Sequence, residues 1–309
     1  MSGSDAALLA LLEGLAAAGY RFVTVTPETH RRVLERDPGR TARDLRDIFG
    51  WSLPFEEGLL PAPLSDSLAE GGMLARDGGL CRSRVRVASL GERLFLHSAY
   101  PTDAADAVFF GPDSYRFAAF LRSELPSLGA VRRLVDVGTG SGVGAIAAAP
   151  LLPAARLTAT DINPLALRWA GINAAHAGVA LARVEAPGLD GVDGPVDLVL
   201  ANPPFVADPA RRLYRDGGPL LHGAGLSLDW ALAAARRIEP GGTILLYTGS
   251  AIVAGRDALH EALAERLPVE GCTLRYAQID PDIFGELLDQ PGYEDVERIA
   301  AIGIVIRKA

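Results

Sequence analysis

The sequence predicts an α/β fold: a mostly parallel sheet with an antiparallel edge strand, preceded by a small α+β domain. Three observations carry this. From about residue 106, short apolar β-rich runs alternate with Ala-rich stretches of helical length, the pattern of βα units. Two of the runs stop abruptly, one in a glycine loop and one in Asn-Pro-Pro-Phe. Residues 1–104 instead read as short helices followed by a hairpin. The 309 residues therefore divide into 1–104, expected to select the substrate, and 105–309, and an apolar share of 49% supplies a sizeable core.

Bulk properties remove some function classes. A net charge of −8 argues against broad nucleic-acid affinity, which needs a clustered basic surface. Lys308 is the only lysine among mostly arginine cations, a feature of composition. Cys81 and Cys272 form neither a metal spacing nor a disulfide framework, so a reducing cytoplasm and no metal are expected. No apolar run reaches the ~20 residues of a membrane span, and no secretory leader is read at the N-terminus. Oligomeric state is not legible.

Taken in order, Ser4 or Asp5 is expected to cap a helix that runs to about Ala18 and ends at Gly19. Arg21–Thr26 reads as a strand and Pro27–Glu35 as a helix with proline at its start. Thr41 is expected to cap a short helix closed by Gly50, and another helix falls near Leu64–Glu70. Arg82–Ala88 and Arg93–Ser98 alternate about a turn at Ser89–Glu92, a hairpin that with the preceding helices resembles a winged helix. Arg82, Arg84 and Arg86 would then share one face by period two. Parallel strands are expected at Arg133–Val137, Arg156–Thr160, Leu198–Ala201 and Thr243–Thr248. Leu274–Ile279 and Ile299–Arg307 are expected to form an antiparallel pair at the sheet edge.

"LVDVGTGSGVG", residues 134–144, takes a strand through a glycine loop into a helix. Gly138, Gly140 and Gly142 let backbone approach a ligand, and the helix start offers free N–H groups. Val143 stands where the dinucleotide fingerprint needs glycine, and Asp136 suits a cationic group better than a pyrophosphate. "LTATDINPLAL", residues 157–167, ends a strand in Asp161, 161 − 136 = 25 residues later. A carboxylate there accepts ribose hydroxyls. It can also cap the helix, as can Asn163.

The combination "DVGTGSG", "TDIN" and "NPPF" resembles class I S-adenosylmethionine-dependent methyltransferases of the Asn-Pro-Pro-aromatic subgroup, and within it the HemK-type protein glutamine-amide methyltransferases. The similarity covers about residues 105–250. It implies a Rossmann-like seven-stranded sheet, S-adenosylmethionine as cofactor and methylation of a planar nitrogen. By match, "FGPDS", residues 110–114, lies over the cofactor through Asp113 and Ser114. The implied cofactor set adds Asp136, Val137, Gly138, Thr139, Gly140, Ser141, Gly142, Asp161, Ile162, Asn163 and Asn202. The family's acid for the adenine amino group should fall near residues 187 and 188, which are Pro187 and Gly188, leaving backbone groups or Glu185 for that role. Residues 1–104 do not match the helical N-terminal domain of the release-factor enzymes.

Asn202, Pro203, Pro204 and Phe205 form the implied catalytic set. An amide or exocyclic nitrogen is a poor nucleophile because its lone pair is delocalised. The Asn202 side-chain oxygen and the Pro203 carbonyl can hold its two N–H groups, turn the lone pair to the methyl carbon and stabilise the growing positive charge, while Phe205 stacks on the planar group. The favoured acceptor is a protein glutamine side chain, a translation factor being one such protein. Phe205, where HemK-type enzymes carry Tyr, points toward the alternative, an RNA or DNA exocyclic amine. A small-molecule acceptor and a non-catalytic cofactor-binding scaffold are the further readings. "YRDGGPLLHGAG", residues 214–225, reads equally as a lid or a connection, with His222 a surface residue, and the acids of "DPDIFGE", residues 280–286, as an Asx turn.

Overall fold

The computed structural model describes residues 2–309. Helix α1 (Gly3–Ala17) is capped by Ser2, whose hydroxyl accepts the Asp5 amide while the Asp5 carboxylate takes the Ser2 N–H. The cap therefore precedes the expected Ser4 or Asp5, because Asp5 is the third helical residue of a capping box. Arg21–Thr26 is extended but joins no ladder: Ser89 supplies the partner, its N–H and Oγ reaching the Phe22 carbonyl at 2.8 and 3.0 Å. Helices α2 (Pro27–Leu34), α3 (Leu45–Phe49) and α4 (Ala62–Glu70) follow. Asp44, not Thr41, caps α3, its carboxylate accepting Asp47 N–H at 2.8 Å.

Two antiparallel hairpins stand where one was expected: β1 (Leu74–Asp77) with β2 (Leu80–Ser83), and β3 (Val85–Leu90) with β4 (Arg93–Ser98). The run expected as one strand breaks at Arg84, because the Ser83 hydroxyl bonds the Val85 N–H and carbonyl and competes with the ladder. The arginines therefore do not share a face. Arg82 and Arg84 are exposed, whereas Arg86 turns inward, donates to the Gly50 carbonyl at 2.9 Å and lies over the Phe22 ring.

The main sheet comprises β5 (Arg133–Val137), β6 (Arg156–Asp161), β7 (Leu181–Glu185), β8 (Leu198–Ala201), β9 (Thr243–Val253), β11 (Cys272–Ile283) and β12 (Arg298–Lys308); a two-residue β10 (Arg256–Asp257) folds back on β9. Their order is β11-β12-β9-β8-β5-β6-β7. Strands β5 to β9 are parallel. The antiparallel pair expected at the sheet edge is present, and the strand that runs against its neighbours is β12, one place in from the edge strand β11. Strand β7 escapes the sequence reading because Leu181–Glu185 is an edge strand with no buried residue.

Side chains alternate across this sheet. Val135, Val199 and Ile244 face helices α8 (Gly225–Arg237) and α9 (Ala258–Arg266), while Leu134, Leu198 and Leu245 face α5 (Pro112–Glu124). Helices α6 (Val143–Ala148) and α7 (Pro164–His176) complete the second layer. The N-terminal elements are not held by polar contacts alone: Leu8, Leu12, Leu94 and Leu96 share one buried cluster with Ala166, Trp169 and Ile172 of α7. Arg168 adds an ion pair to Asp5 at 2.6 Å. The Asn173 amide bonds Leu96 N–H and carbonyl and the Ser141 carbonyl, joining hairpin, helix and glycine loop. Among the described residues no helix is long and apolar enough to cross a membrane.

Candidate active site

Register decides where the site lies. Val137 of β5 pairs with Thr160 of β6 and Ala201 of β8, so Gly138, Asp161 and Asn202 stand side by side at the carboxyl ends of parallel strands. These ends open into a cavity of about 370 Å³. Of the cofactor set, Asp113, Ser114, Asp136, Gly138, Thr139, Gly140, Ser141, Asp161, Ile162, Asn163 and Asn202 line it. Val137 and Gly142 do not: Val137 is buried against the α8 face, and Gly142 packs on Ala170 of α7. Pro203, Pro204 and Phe205 line it as well.

The glycine loop needs its glycines. Gly138 sits at φ +62 with the Trp230 indole of α8 so close that a Cβ would lie 2.4 Å from Cη2. Gly140 sits at φ +53 and donates its N–H to Asp161 Oδ2 at 2.9 Å. Asp136 is buried behind the loop, where Oδ2 accepts Thr139 Oγ1 at 2.7 Å and Ala145 N–H at 2.9 Å. Burial pushes its carboxyl up to about 7, with the nearby Asp161 charge adding to the rise. Burial also raises Asp161, against hydrogen bonds from Asn163, Gly140 and Ile162 amides that lower it. Buried carboxylates at one end of a cavity favour a cationic occupant, whose charge would offset the cost of ionising them.

Asn163 does two jobs. Its Oδ1 accepts Leu165 N–H at 3.0 Å and caps α7, while Nδ2 donates to the Asp106 carbonyl at 2.7 Å and ties the 105–109 segment over the cavity. Asp113 and Ser114 open α5 above it. The Asp113 carboxyl, raised by burial, accepts Tyr247 Oη at 2.7 Å. Ala186, Pro187 and Gly188 line the cavity while exposed Glu185 does not, so backbone presents itself where an adenine-reading acid was expected.

Asn202 makes no side-chain hydrogen bond to the described residues and faces the cavity with its amide free. The following backbone is rigid and closely packed. Val206 N–H donates to Arg215, Gly217 N–H returns to the Val206 carbonyl at 2.8 Å, and a Cβ at Gly217 would meet the Pro204 carbonyl at 2.6 Å. Residues 206–217 thus fold back on the Asn-Pro-Pro-Phe turn, and Leu213, Tyr214 and Arg215 join the cavity wall. His222, half-buried, bonds Asp295 at 3.0 Å, away from that wall. Asp280 accepts the Asp282 amide at 3.3 Å, the Asx turn read in the sequence.

Several wall residues carry no sequence signal. Trp230 reaches Gly138 from α8, Phe109 stacks on Tyr214 at 5.5 Å and 14°, Phe284 arrives from the end of β11, and Pro27 from the start of α2. Each is brought in by long-range packing, which local periodicity does not encode.

Fold and cavity together match what the resemblance to class I methyltransferases implies, a mostly parallel sheet whose strand ends carry a glycine loop, Asp161 and Asn202. Residues 108–222 match the family model described as methyltransferase small domain. Among relatives, the release factor glutamine methyltransferase of Deinococcus radiodurans is 38% identical over 123 residues, covering 37% of this chain and 44% of that one. The ribosomal protein L11 methyltransferase of Pelotomaculum thermopropionicum is 54% identical over 75 residues, 24% of this chain and 23% of that one. The chain therefore spans less than half the length of these curated relatives. A solved structure of Trm5b from Pyrococcus abyssi superposes with a TM-score of 0.50 at 16% identity, covering 76% of this chain and 62% of that one, which shows the shared fold. The matched stretch 108–222 includes most of the residues that line the cavity.

Proposed function

We propose that the chain is an S-adenosylmethionine-dependent N-methyltransferase whose favoured acceptor is a protein glutamine side-chain amide. The carrying observation is the unpartnered Asn202 amide, aimed into the same cavity that Asp136 and Asp161 make electronegative. When bound, S-adenosylmethionine supplies an electrophilic methyl group on a sulfonium. In this reading Asp161 accepts ribose hydroxyls with lone pairs not used by Gly140 and Asn163, and Asp136 favours the cationic amino-acid portion. The Asn202 oxygen and Pro203 carbonyl orient the acceptor nitrogen, and Phe205 covers its planar group.

The acceptor proposal draws on the similarity to release factor glutamine methyltransferases, with a translation factor as the kind of protein partner and the cytoplasm as location. Residues 1–104 are proposed to select that partner, since Pro27 brings them to the cavity wall. A nucleic-acid exocyclic amine is the second reading, favoured by Phe205 and by Arg211 and Arg215, which line the cavity without an ion-pair partner among the described residues. Tritiated-methyl transfer into a cell extract separates them. Label released by protease and resistant to nuclease supports the protein acceptor; the reverse overturns it.

A further inference from the structure

We propose that Phe284 is an acceptor-contacting, specificity-determining residue, held against Phe205 at the cavity wall by the Arg116–Asp280 ion pair; the inference rests on the methyltransferase reading above. Three observations converge on it. First, Phe284 and Phe205 both line the cavity with ring centroids 5.7 Å apart and planes at 56°. This is a tilted pair at a separation within the range aromatic pairs adopt.

Second, Phe284 adopts φ +55, ψ 41, the left-handed region that a bulky side chain rarely enters. The next residue is Gly285, which would take that conformation without steric cost. Chain reversal alone does not require an aromatic at 284, and such strain persists where surrounding structure over-determines it, commonly at functional sites.

Third, the segment is braced from the cofactor side. β11 slips register against β12 between Gln278 and Asp280 and again before Ile283, which still pairs with Ile299, so Phe284 follows directly on the last paired residue of a bulged strand. At the first slip the Asp280 carboxylate takes Arg116 Nη2 at 2.8 Å. Arg116 also lies 3.5 Å from Asp113, the buried acid at the start of α5 that accepts Tyr247 Oη. One arginine therefore ties the segment that covers the cofactor end of the cavity to the segment that carries Phe284.

The two rings already pack against each other, so a planar group is received on their shared rim rather than between them. A side-chain amide fits that rim with its plane against Phe205 and its edge toward Phe284. A two-ring base presents a larger plane to the same rim, so on this proposal it is the acceptor that the Phe284 ring disfavours. The pair thus favours an amide over a purine acceptor, a selection that the Asn-Pro-Pro-Phe motif alone does not make.

The test uses the full-length protein with tritiated S-adenosylmethionine and a capped tripeptide, acetyl-Gly-Gln-Gly-amide, beside a single-stranded adenine-containing oligonucleotide. Phe284→Gly removes the ring and relieves the left-handed strain, so its unfolding midpoint is expected not to fall. Its KM for the peptide should rise about tenfold with kcat within about threefold, and its cofactor dissociation constant should stay at the parent value. Asp280→Asn, which leaves Asp113 and its partners in place, should shift KM the same way by about threefold. A Phe284→Gly protein with parental KM and kcat would overturn the inference and return Phe284 to a turn residue. A parent protein that methylates only the oligonucleotide, or neither probe while binding cofactor, would overturn the glutamine reading and this inference with it.

Discussion

The indole of Trp230 covers Gly138 so closely that a single added carbon at 138 would lie 2.4 Å from Cη2 and 2.8 Å from Cζ3. The two residues are far apart in sequence, yet together they set the shape of the glycine loop at the end of β5. Gly138→Ala should therefore cost about 1–3 kcal/mol, from the φ +62 backbone and the overpacked contact. Urea unfolding reads this directly. Trp230→Ala combined with Gly138→Ala should recover the steric part only, which a double-mutant cycle resolves.

Asn202 is the sharpest test of the chemistry. Asn202→Ala removes a free acceptor and Asn202→Asp places a negative charge beside the proposed sulfonium, stabilising the ground state that the reaction discharges. Both should lose at least about 10²-fold in turnover, with cofactor affinity near the parent value in Asn202→Ala and at or above it in Asn202→Asp. Initial rates and calorimetry on the same preparations check it. Near-parental turnover in Asn202→Ala would reduce residues 202–205 to a rigid turn.

Asp161→Asn keeps an oxygen for one backbone N–H but removes the charge that strengthens hydrogen bonds to a ribose. S-adenosylmethionine binding should weaken by up to about 1.5–3 kcal/mol for each bond lost. Asp161→Ala should also lower the unfolding midpoint, because Gly140 and Asn163 N–H groups lose their acceptor. Unchanged cofactor affinity in Asp161→Asn would leave Asp161 with the loop-bracing role alone.

Asp136 predicts a pH dependence. Its carboxyl has an ordinary value of 3.8 and is raised by burial to about 7 in the folded chain. Below 3.8 both folded and unfolded states hold the proton. Between 3.8 and about 7 the folded state keeps a proton that the unfolded state has lost, so stability of the cofactor-free protein falls as pH rises through this window and levels off above it. A cationic cofactor prefers the ionised acid, so its affinity should rise with pH through about 7. Asp136→Asn should flatten both profiles, read by thermal unfolding and calorimetry across pH 5–8.

Removing residues 1–104 strips cover from Ala166, Trp169 and Ile172 of α7, which pack in one cluster with Leu8, Leu12 and Leu96. It also leaves the Asn173 amide without Leu96. A chain starting near residue 105 should therefore aggregate or unfold at lower temperature unless those apolar positions are replaced by polar ones. A stable, monomeric fragment with intact cofactor binding would show that the shared core is dispensable.

Much of this protein was legible without coordinates. The limits of β5 and β8 follow from apolar runs stopped by glycine and by proline, because those residues end strands through their own backbone chemistry. The glycine loop, Asp161 and Asn202 were legible for the same reason: each is a local backbone or side-chain requirement written at a strand end. The antiparallel pair at the sheet's far side was also readable, from the strand-like runs Leu274–Ile279 and Ile299–Arg307. Tertiary structure alone decided the rest. Strand β7 forms because β6 offers it a ladder, although its five residues bury no side chain of their own. Arg86 is buried by its bond to Gly50, although its spacing from Arg82 and Arg84 matches a solvated face. Trp230, Phe284 and Pro27 reach the cavity from α8, β11 and α2 through packing and register slips across the whole chain. Sequence periodicity reports which residues seek burial; which partner buries them depends on how the elements meet.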